Sequence, residues 1–253
     1  SGHSNSFFGY QSGKSNTTGH SNVYLGDDSG PNNSVGNNNT FLGASSGLTN
    51  TGSNNTFIGN ASSVLNASGK NNTAIGHASG IAASGNGNIF IGNQAGPFGS
   101  GLFSPTFVNN TLYIDNEIND DPLIYGEFDN DFVKINGTFE VTAGLSNPSD
   151  VNLKNNFEEV DASDILDKID NLPITKWTYK NRQTETHIGA TAQDFHTAFG
   201  LGTDDKHIST IDADGVALAA IKALKKENDF LKEKINIQQS QIERLFSILK
   251  IEK

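Results

Sequence analysis

Residues 36–44 read GNNNTFLGA, and the same nine-residue phrase, loosely kept, opens every segment of the first hundred residues. It returns as GHSNSFFGY at 2–10, GHSNVYLGD at 19–27, GSNNTFIGN at 52–60, GKNNTAIGH at 69–77 and GNGNIFIGN at 85–93. The opening glycines lie 17, 17, 16, 17 and 16 residues apart. Each phrase is glycine, two mostly polar residues, asparagine, a trio with apolar content, and glycine again. A second small-residue site follows most of them, as in Ser45-Ser46-Gly47 and Ala78-Ser79-Gly80. A disordered glycine–serine linker has no reason to keep such a register. Short β-rich trios between Gly and Asn, residues that tolerate positive φ, read as strands and corners. The period is too short for a helical repeat and suits one coil of a parallel β-solenoid or β-roll. Six coils stacked at roughly 4.8 Å would rise about 29 Å.

The apolar content per coil is thin. Burying one aromatic is worth about 1.5–3 kcal/mol, whereas ordering each residue's backbone costs roughly 1–2 kcal/mol. Side-by-side association of chains is therefore expected, with Phe7, Tyr24, Phe41, Phe57 and Phe90 facing sister chains or the coil interior. The repeat over 2–96 resembles the head of trimeric autotransporter adhesins, although its period is longer than the usual head repeat. That resemblance implies a trimeric β-roll acting as a fibre shaft or an adhesive surface. Asn-x-Ser/Thr sequons at Asn38, Asn60 and Asn66 follow from composition. His3, His20 and His77 would share a face only if the coils are in register, and no metal site is expected. The Gly-rich runs lack the strand-to-helix setting and the lysine of a phosphate-binding loop.

Composition divides the 253 residues into three. Residues 1–100 hold 61 Gly, Asn, Ser or Thr, with two Lys and two Asp as the only charges. Residues 101–148 carry one Lys and eight acids, and residues 149–253 carry 14 Lys or Arg and 18 acids. The net charge of −11 argues against nucleic acid or an anionic membrane as partner. With no cysteine there is no disulfide, thiolate metal site or thiol nucleophile. With no methionine the sequence is expected to be a piece of a longer chain. No apolar run approaches the roughly 20 residues of a membrane span, so no membrane insertion is expected.

Residues 101–148 read as a short-strand β connector. Leu112–Ile114, Leu123–Gly126, Phe132–Ile135 and Phe139–Val141 have strand character, and Asp129-Asn130 and Asn136-Gly137 read as turns. The acids at Asp115, Asp120, Asp121, Asp129 and Asp131 do not have EF-hand spacing and read as surface turn residues.

Residues 149–253 carry three motifs in order. Ser149-Asp150-Val151-Asn152-Leu153-Lys154 comes first. His187-Ile188-Gly189-Ala190-Thr191-Ala192-Gln193-Asp194 follows, preceded by the strand Trp177-Thr178-Tyr179-Lys180. The third is Asp212-Ala213-Asp214-Gly215-Val216-Ala217-Leu218-Ala219-Ala220-Ile221. Together they resemble the C-terminal intramolecular chaperone of phage tailspikes and tail fibres, the endosialidase-type autoprotease. The resemblance implies a domain that drives trimerisation of a β fibre and then cuts itself off with a Ser-Lys dyad. It places that dyad at Ser149 and Lys154 and the scissile bond at Pro148–Ser149. The family usually has a basic residue where Asn152 stands, and here proline occupies the acyl side of the bond.

The chemistry is coherent at the residue level. A serine hydroxyl needs an adjacent base, and lysine serves as one only when neutral, a state favoured by burial or a cationic neighbour. Residues five apart are not neighbours on a helix and face opposite ways on a strand. The pair must therefore sit on a turn or meet across chains. His187, His196 and His207 read as surface or cap residues, and no catalytic triad is drawn from them.

The C-terminus reads as a coiled-coil helix over about 215–251. Ile221, Leu224, Asn228, Leu231, Ile235, Gln238, Ile242, Leu245 and Leu249 alternate by three and four and form a heptad seam. Asn228 and Gln238 are polar positions that fix register at a cost in stability. A shorter amphipathic helix is expected at 162–171, with Ile165, Leu166 and Ile169 on one face and Pro173 ending it.

The sequence therefore predicts a mainly β, homotrimeric fibre tip: a β-solenoid at 1–100, a connector at 101–148 and an α+β chaperone domain at 149–253. Its expected partners are sister chains, an upstream fibre, baseplate or anchor segment, and a cell-surface receptor such as a glycan. Its expected place is a phage or phage-like particle, or a bacterial cell surface, with no cofactor. A non-cleaving surface adhesin is one alternative. A polysaccharide-degrading tailspike is another, although residues 1–100 offer only Asp27 and Asp28 where a glycosidase needs paired carboxylates.

Overall fold

In the computed structural model, residues 2–97, 105–180 and 182–249 are described, and the chain divides into two units, Ser1–Thr142 and Ala143–Lys253. The first unit is a parallel β-solenoid. Its strands are β1 Ser6–Phe8, β2 Val23–Leu25, β3 Thr40–Leu42, β4 Thr56–Ile58, β5 Thr73–Ile75, β6 Ala83–Ser84 and β7 Ile89–Ile91. They continue as β8 Thr106–Phe107, β9 Thr111–Ile114, β10 Ile124–Glu127 and β11 Phe132–Ile135. One sheet runs in the order β1-β2-β3-β4-β5-β7-β9-β10-β11, and β6 pairs with β8 in a second, two-stranded sheet. Pairing is parallel through β9, then antiparallel for β10 and β11, so the 111–135 hairpins extend the solenoid sheet.

The apolar trio sits in each strand and its middle residue points inward. Tyr24, Phe41, Phe57, Ala74 and Phe90 are fully buried in the coil interior. The rings of Phe7, Tyr24, Phe41 and Phe57 stack at 4.8, 4.7 and 4.9 Å, nearly parallel, which is the spacing of the strands that carry them.

Half of the interior is polar, which the apolar count had left out. The fourth residue of each phrase, read above as a corner, is a buried ladder asparagine. Asn22, Asn39, Asn55, Asn72 and Asn88 are wholly or almost wholly inaccessible. The Oδ1 of each accepts the backbone N–H of its counterpart one coil on, at 2.9 Å from Asn39 to Asn22 and 3.0 Å from Asn72 to Asn55. The Nδ2 groups of Asn22, Asn39, Asn55 and Asn72 donate to a glycine carbonyl of the following coil, as from Asn39 to Gly52 and from Asn55 to Gly69 at 2.9 Å each, and that of Asn88 donates to the Val108 carbonyl at 2.8 Å. The residue just before, such as Asn38 or Asn54, is the one at positive φ. Buried amides of this kind cost little only because every donor and acceptor is met.

The second small-residue site closes the coil. The hydroxyls of Ser29 and Ser46 donate to the carbonyls of Phe41 and Phe57 at 3.1 and 3.0 Å. Gly47 follows at φ +61°, where a Cβ would lie 2.7 Å from the Phe41 ring. In the fourth coil Ser63 takes that position at φ +50°, and the next interior ring is replaced by Ala74. A side chain has been gained at one position and an aromatic lost at the other.

Three expectations are corrected in this unit. Phe139–Val141 forms no strand, and Asn136-Gly137 turns no hairpin, because the chain leaves the sheet after β11. Asn136 instead closes the end of β11 by donating its backbone N–H to the Leu123 carbonyl and its Nδ2 to the Pro122 carbonyl. His3 and His20 stack at 5.0 Å, but His77 occupies a different position of the coil, against Asn93 Oδ1 at 3.2 Å.

The second unit holds α1 Ala162–Asp170, the hairpin β12 Thr175–Tyr179 and β13 Arg182–Gly189, α2 Ala192–Phe199, and α3 Thr210–Leu249. Asp161 caps α1, accepting from the Ser163 and Asp164 N–H groups, and Ile165, Leu166 and Ile169 form its half-buried face. Thr191 caps α2, accepting from the Asp194 N–H, and Gly200 ends it in the left-handed region at φ +66°. Phe195, Val216 and Ala220 are buried. The helix α3 begins at Thr210, five residues earlier than position 215. Positions 250–251 and the Leu249 side chain lie outside the described residues.

Candidate functional site

The segment Ser149–Lys154 is built as a single tight turn. Val151–Leu153 is a short 3-10 helix capped by Asp150, whose carboxylate accepts the Asn152 backbone N–H and the Asn152 Nδ2 at 2.9 Å each. The backbone N–H groups of Leu153 and Lys154 donate to the carbonyls of Asp150 and Val151 at 3.1 and 3.2 Å. This turn folds residue 154 back over residue 149, and Lys154 Nζ donates to Ser149 Oγ at 2.7 Å. Of the two geometries open to the sequence, the pair adopts the turn within one chain. Asn152 serves the turn by tying its backbone N–H and its side-chain amide to Asp150.

A nucleophile hydroxyl within hydrogen-bond reach of an amine is the geometry of a serine–lysine dyad. Ser149 and Lys154 are exposed, as is every residue from 143 to 161.

The other motif residues take structural positions. His187 on β13 lies against the Trp177 ring at 4.7 Å and the Tyr179 ring at 5.5 Å, in an aromatic cluster rather than at the surface position expected for it. His196 Nδ1 meets the Leu201 carbonyl at 2.9 Å beyond the end of α2, and His207 pairs with Asp204 at 3.0 Å. The cluster escaped the sequence reading because residues 177, 179 and 187 become neighbours only through the β12–β13 register.

Along α3 the seam residues are uncovered: Ile221, Leu224, Leu231, Ile235, Ile242 and Leu245 are all exposed, with Asn228 and Gln238 beside them. Among the described residues no group of three or more His, Asp or Glu is arranged to hold a metal ion. Among them, too, no helix is long and apolar enough to cross a membrane.

With this geometry in hand, the family model described as chaperone of endosialidase matches residues 149–200, starting at Ser149. The second unit thus carries a C-terminal intramolecular chaperone segment of the endosialidase type, joined to a β-solenoid. The match takes in the dyad turn, the aromatic hairpin and α2; the third motif and the seam lie beyond it. No curated protein and no solved structure matches the chain.

Proposed function

We propose that this chain is a homotrimeric fibre or adhesin tip, on a phage, a phage-like particle or a bacterial cell surface. Its solenoid serves attachment to a target surface, and its C-terminal domain drives trimer folding and then releases itself at Pro148–Ser149. The observation that carries the reading is the 2.7 Å hydrogen bond between Lys154 Nζ and Ser149 Oγ at the first residue of the family match. The exposed heptad seam of α3 supports the oligomer, since an apolar column of that length in water calls for partner helices.

In the proposed reaction neutral Lys154 takes the Ser149 hydroxyl proton as Oγ attacks the Pro148 carbonyl carbon. The peptide bond breaks as the Ser149 nitrogen leaves with that proton, and Pro148 is held as an ester on Oγ. Water then hydrolyses the ester, giving a Pro148 carboxylate and a released piece that begins at Ser149. Exposure of the dyad in one chain supports a requirement for assembly: a neighbouring chain that covers Lys154 would favour its neutral form, so cleavage would report correct folding.

Intact mass and oligomer mass of the wild type beside Ser149→Ala test both halves. Fragments of 1–148 and 149–253 in the wild type, with an intact mutant, are the expected result. An intact, trimeric wild type would mean that the domain stays as a permanent cap, the reading that the Pro148 and Asn152 departures favour. A monomer in both samples would overturn the oligomer.

A further inference from the structure

The outer face of the solenoid sheet presents an unbroken apolar column. The third residue of each trio faces outward, and the strand register aligns these residues from Phe8 and Leu25 through Ile58 and Ile91 to Ile114. The antiparallel strands carry the column on, pairing Ile114 with Ile124 and Ile124 with Ile135. All nine strands of the sheet contribute an aromatic or aliphatic residue to it. The adjacent column, formed by the first residue of each trio, runs from Ser6 through Thr56 to Leu112, Gly126 and Val133 and is also uncharged. At about 4.8 Å per strand the strip is roughly 38 Å long.

Phe8, Leu25, Ile75 and Ile91 are exposed and the other five residues of the column half-buried, although the ladder shields each from above and below. Leu25 is 51% exposed, Ile75 39% and Ile91 38%. The exposure that remains points away from the sheet. The four charges of residues 1–97, Lys14, Asp27, Asp28 and Lys70, all lie off this face.

We propose that this strip is the surface on which the solenoids of sister chains pack, like column against like column; the proposal rests on the homo-oligomer argued above and says which face it uses. Three observations select a second copy as occupant. The strip repeats with the coil period, and another copy supplies a surface of matching period without further adjustment. It carries no charge with which to choose a different partner. The same chain bears a second uncovered apolar column, the α3 seam, which gathers copies. In a closed cyclic assembly equal residues lie at equal heights, so Ile75 of one copy meets Ile75 of the next. A strip two residues wide is also narrower than the roughly 800 Å² per partner of a free-standing interface, which fits a contact made between chains held elsewhere.

The chain has no cysteine, so single thiols report cleanly. Ile75→Cys and, as a second position, Leu25→Cys are introduced into the full chain, with Asn60→Cys on another face as control. Each is treated with a short bismaleimide, and oligomer mass is read on the same samples. The expected result is an oligomer in which both column variants give covalent dimer at roughly ten-fold the control yield, from the raised effective concentration within an assembly. An oligomer with no excess over Asn60→Cys overturns the strip and leaves the oligomer standing. A monomer overturns both.

Discussion

Asn39 Oδ1 accepts two hydrogen bonds from Asn55, from the backbone N–H at 2.9 Å and from Nδ2 at 3.2 Å, while both residues are completely buried. The pair is one rung of a ladder that holds successive coils at the strand spacing. Replacing Asn55 by Ala orphans the Asn72 backbone N–H and takes from Asn39 Oδ1 and from the Gly69 carbonyl one of the two donors each has, Asn50 Nδ2 remaining on Gly69 at 3.2 Å. The expected loss is about 2–4 kcal/mol, read as a lower denaturant midpoint. Leu, which fills the volume without the bonds, should not restore it; recovery with Leu would assign the ladder a packing role only.

Asn55→Asp tests the same rung by charge. A carboxylate lacks the two donors, and burial favours its neutral form, raising its pKa in the folded state. A group whose folded pKa lies above its unfolded value loses stability as pH rises, here from about pH 4 upward. The variant is therefore expected to be most stable in acid, opposite to a surface aspartate, and a pH series of melting midpoints checks it.

Gly47 and Phe41 should couple. A Cβ at Gly47 would lie 2.7 Å from the ring, and φ is +61°. Gly47→Ala is expected to cost about 1–3 kcal/mol, and Phe41→Ala should cost more because it opens the aromatic stack. In the double mutant the clash has no partner, so the summed loss should fall short of additivity by about 1 kcal/mol.

Base should loosen the first unit in a defined window. Burial, with the nearby Tyr125, Asp120 and Glu127, raises the Tyr113 phenol from its ordinary 10 to about 12. Burial likewise raises the Tyr24 phenol. Because the fold favours the neutral phenol, this stability is complete below pH 10 and is lost between pH 10 and 12. For Tyr113 that amounts to something on the order of 2 kcal/mol. Tyr113→Phe should flatten the stability profile in that interval, measured by denaturant midpoints at successive pH values.

Lys154→Arg separates charge from basicity at the dyad. Arginine keeps the positive charge and a donor for Ser149, but it does not give up its proton. Cleavage is expected to vanish in this variant as fully as in Ser149→Ala, while oligomer mass is unchanged.

The spacing of glycines, the position of each trio and the heptad alternation were local patterns, and they were enough to specify a parallel solenoid, its strands and the long C-terminal helix. The Ser149–Lys154 pair was legible only through the resemblance of residues 149–154 to a chaperone family, and the five-residue separation then left a turn or a contact across chains. What tertiary structure alone decided were the relations between coils: that the fourth-position asparagine is buried rather than at a corner, and that Phe139–Val141 has no strand to join. Those outcomes depend on which groups meet across a gap of sixteen or seventeen residues, where hydrogen-bond satisfaction and ring contact, not local propensity, set the energy.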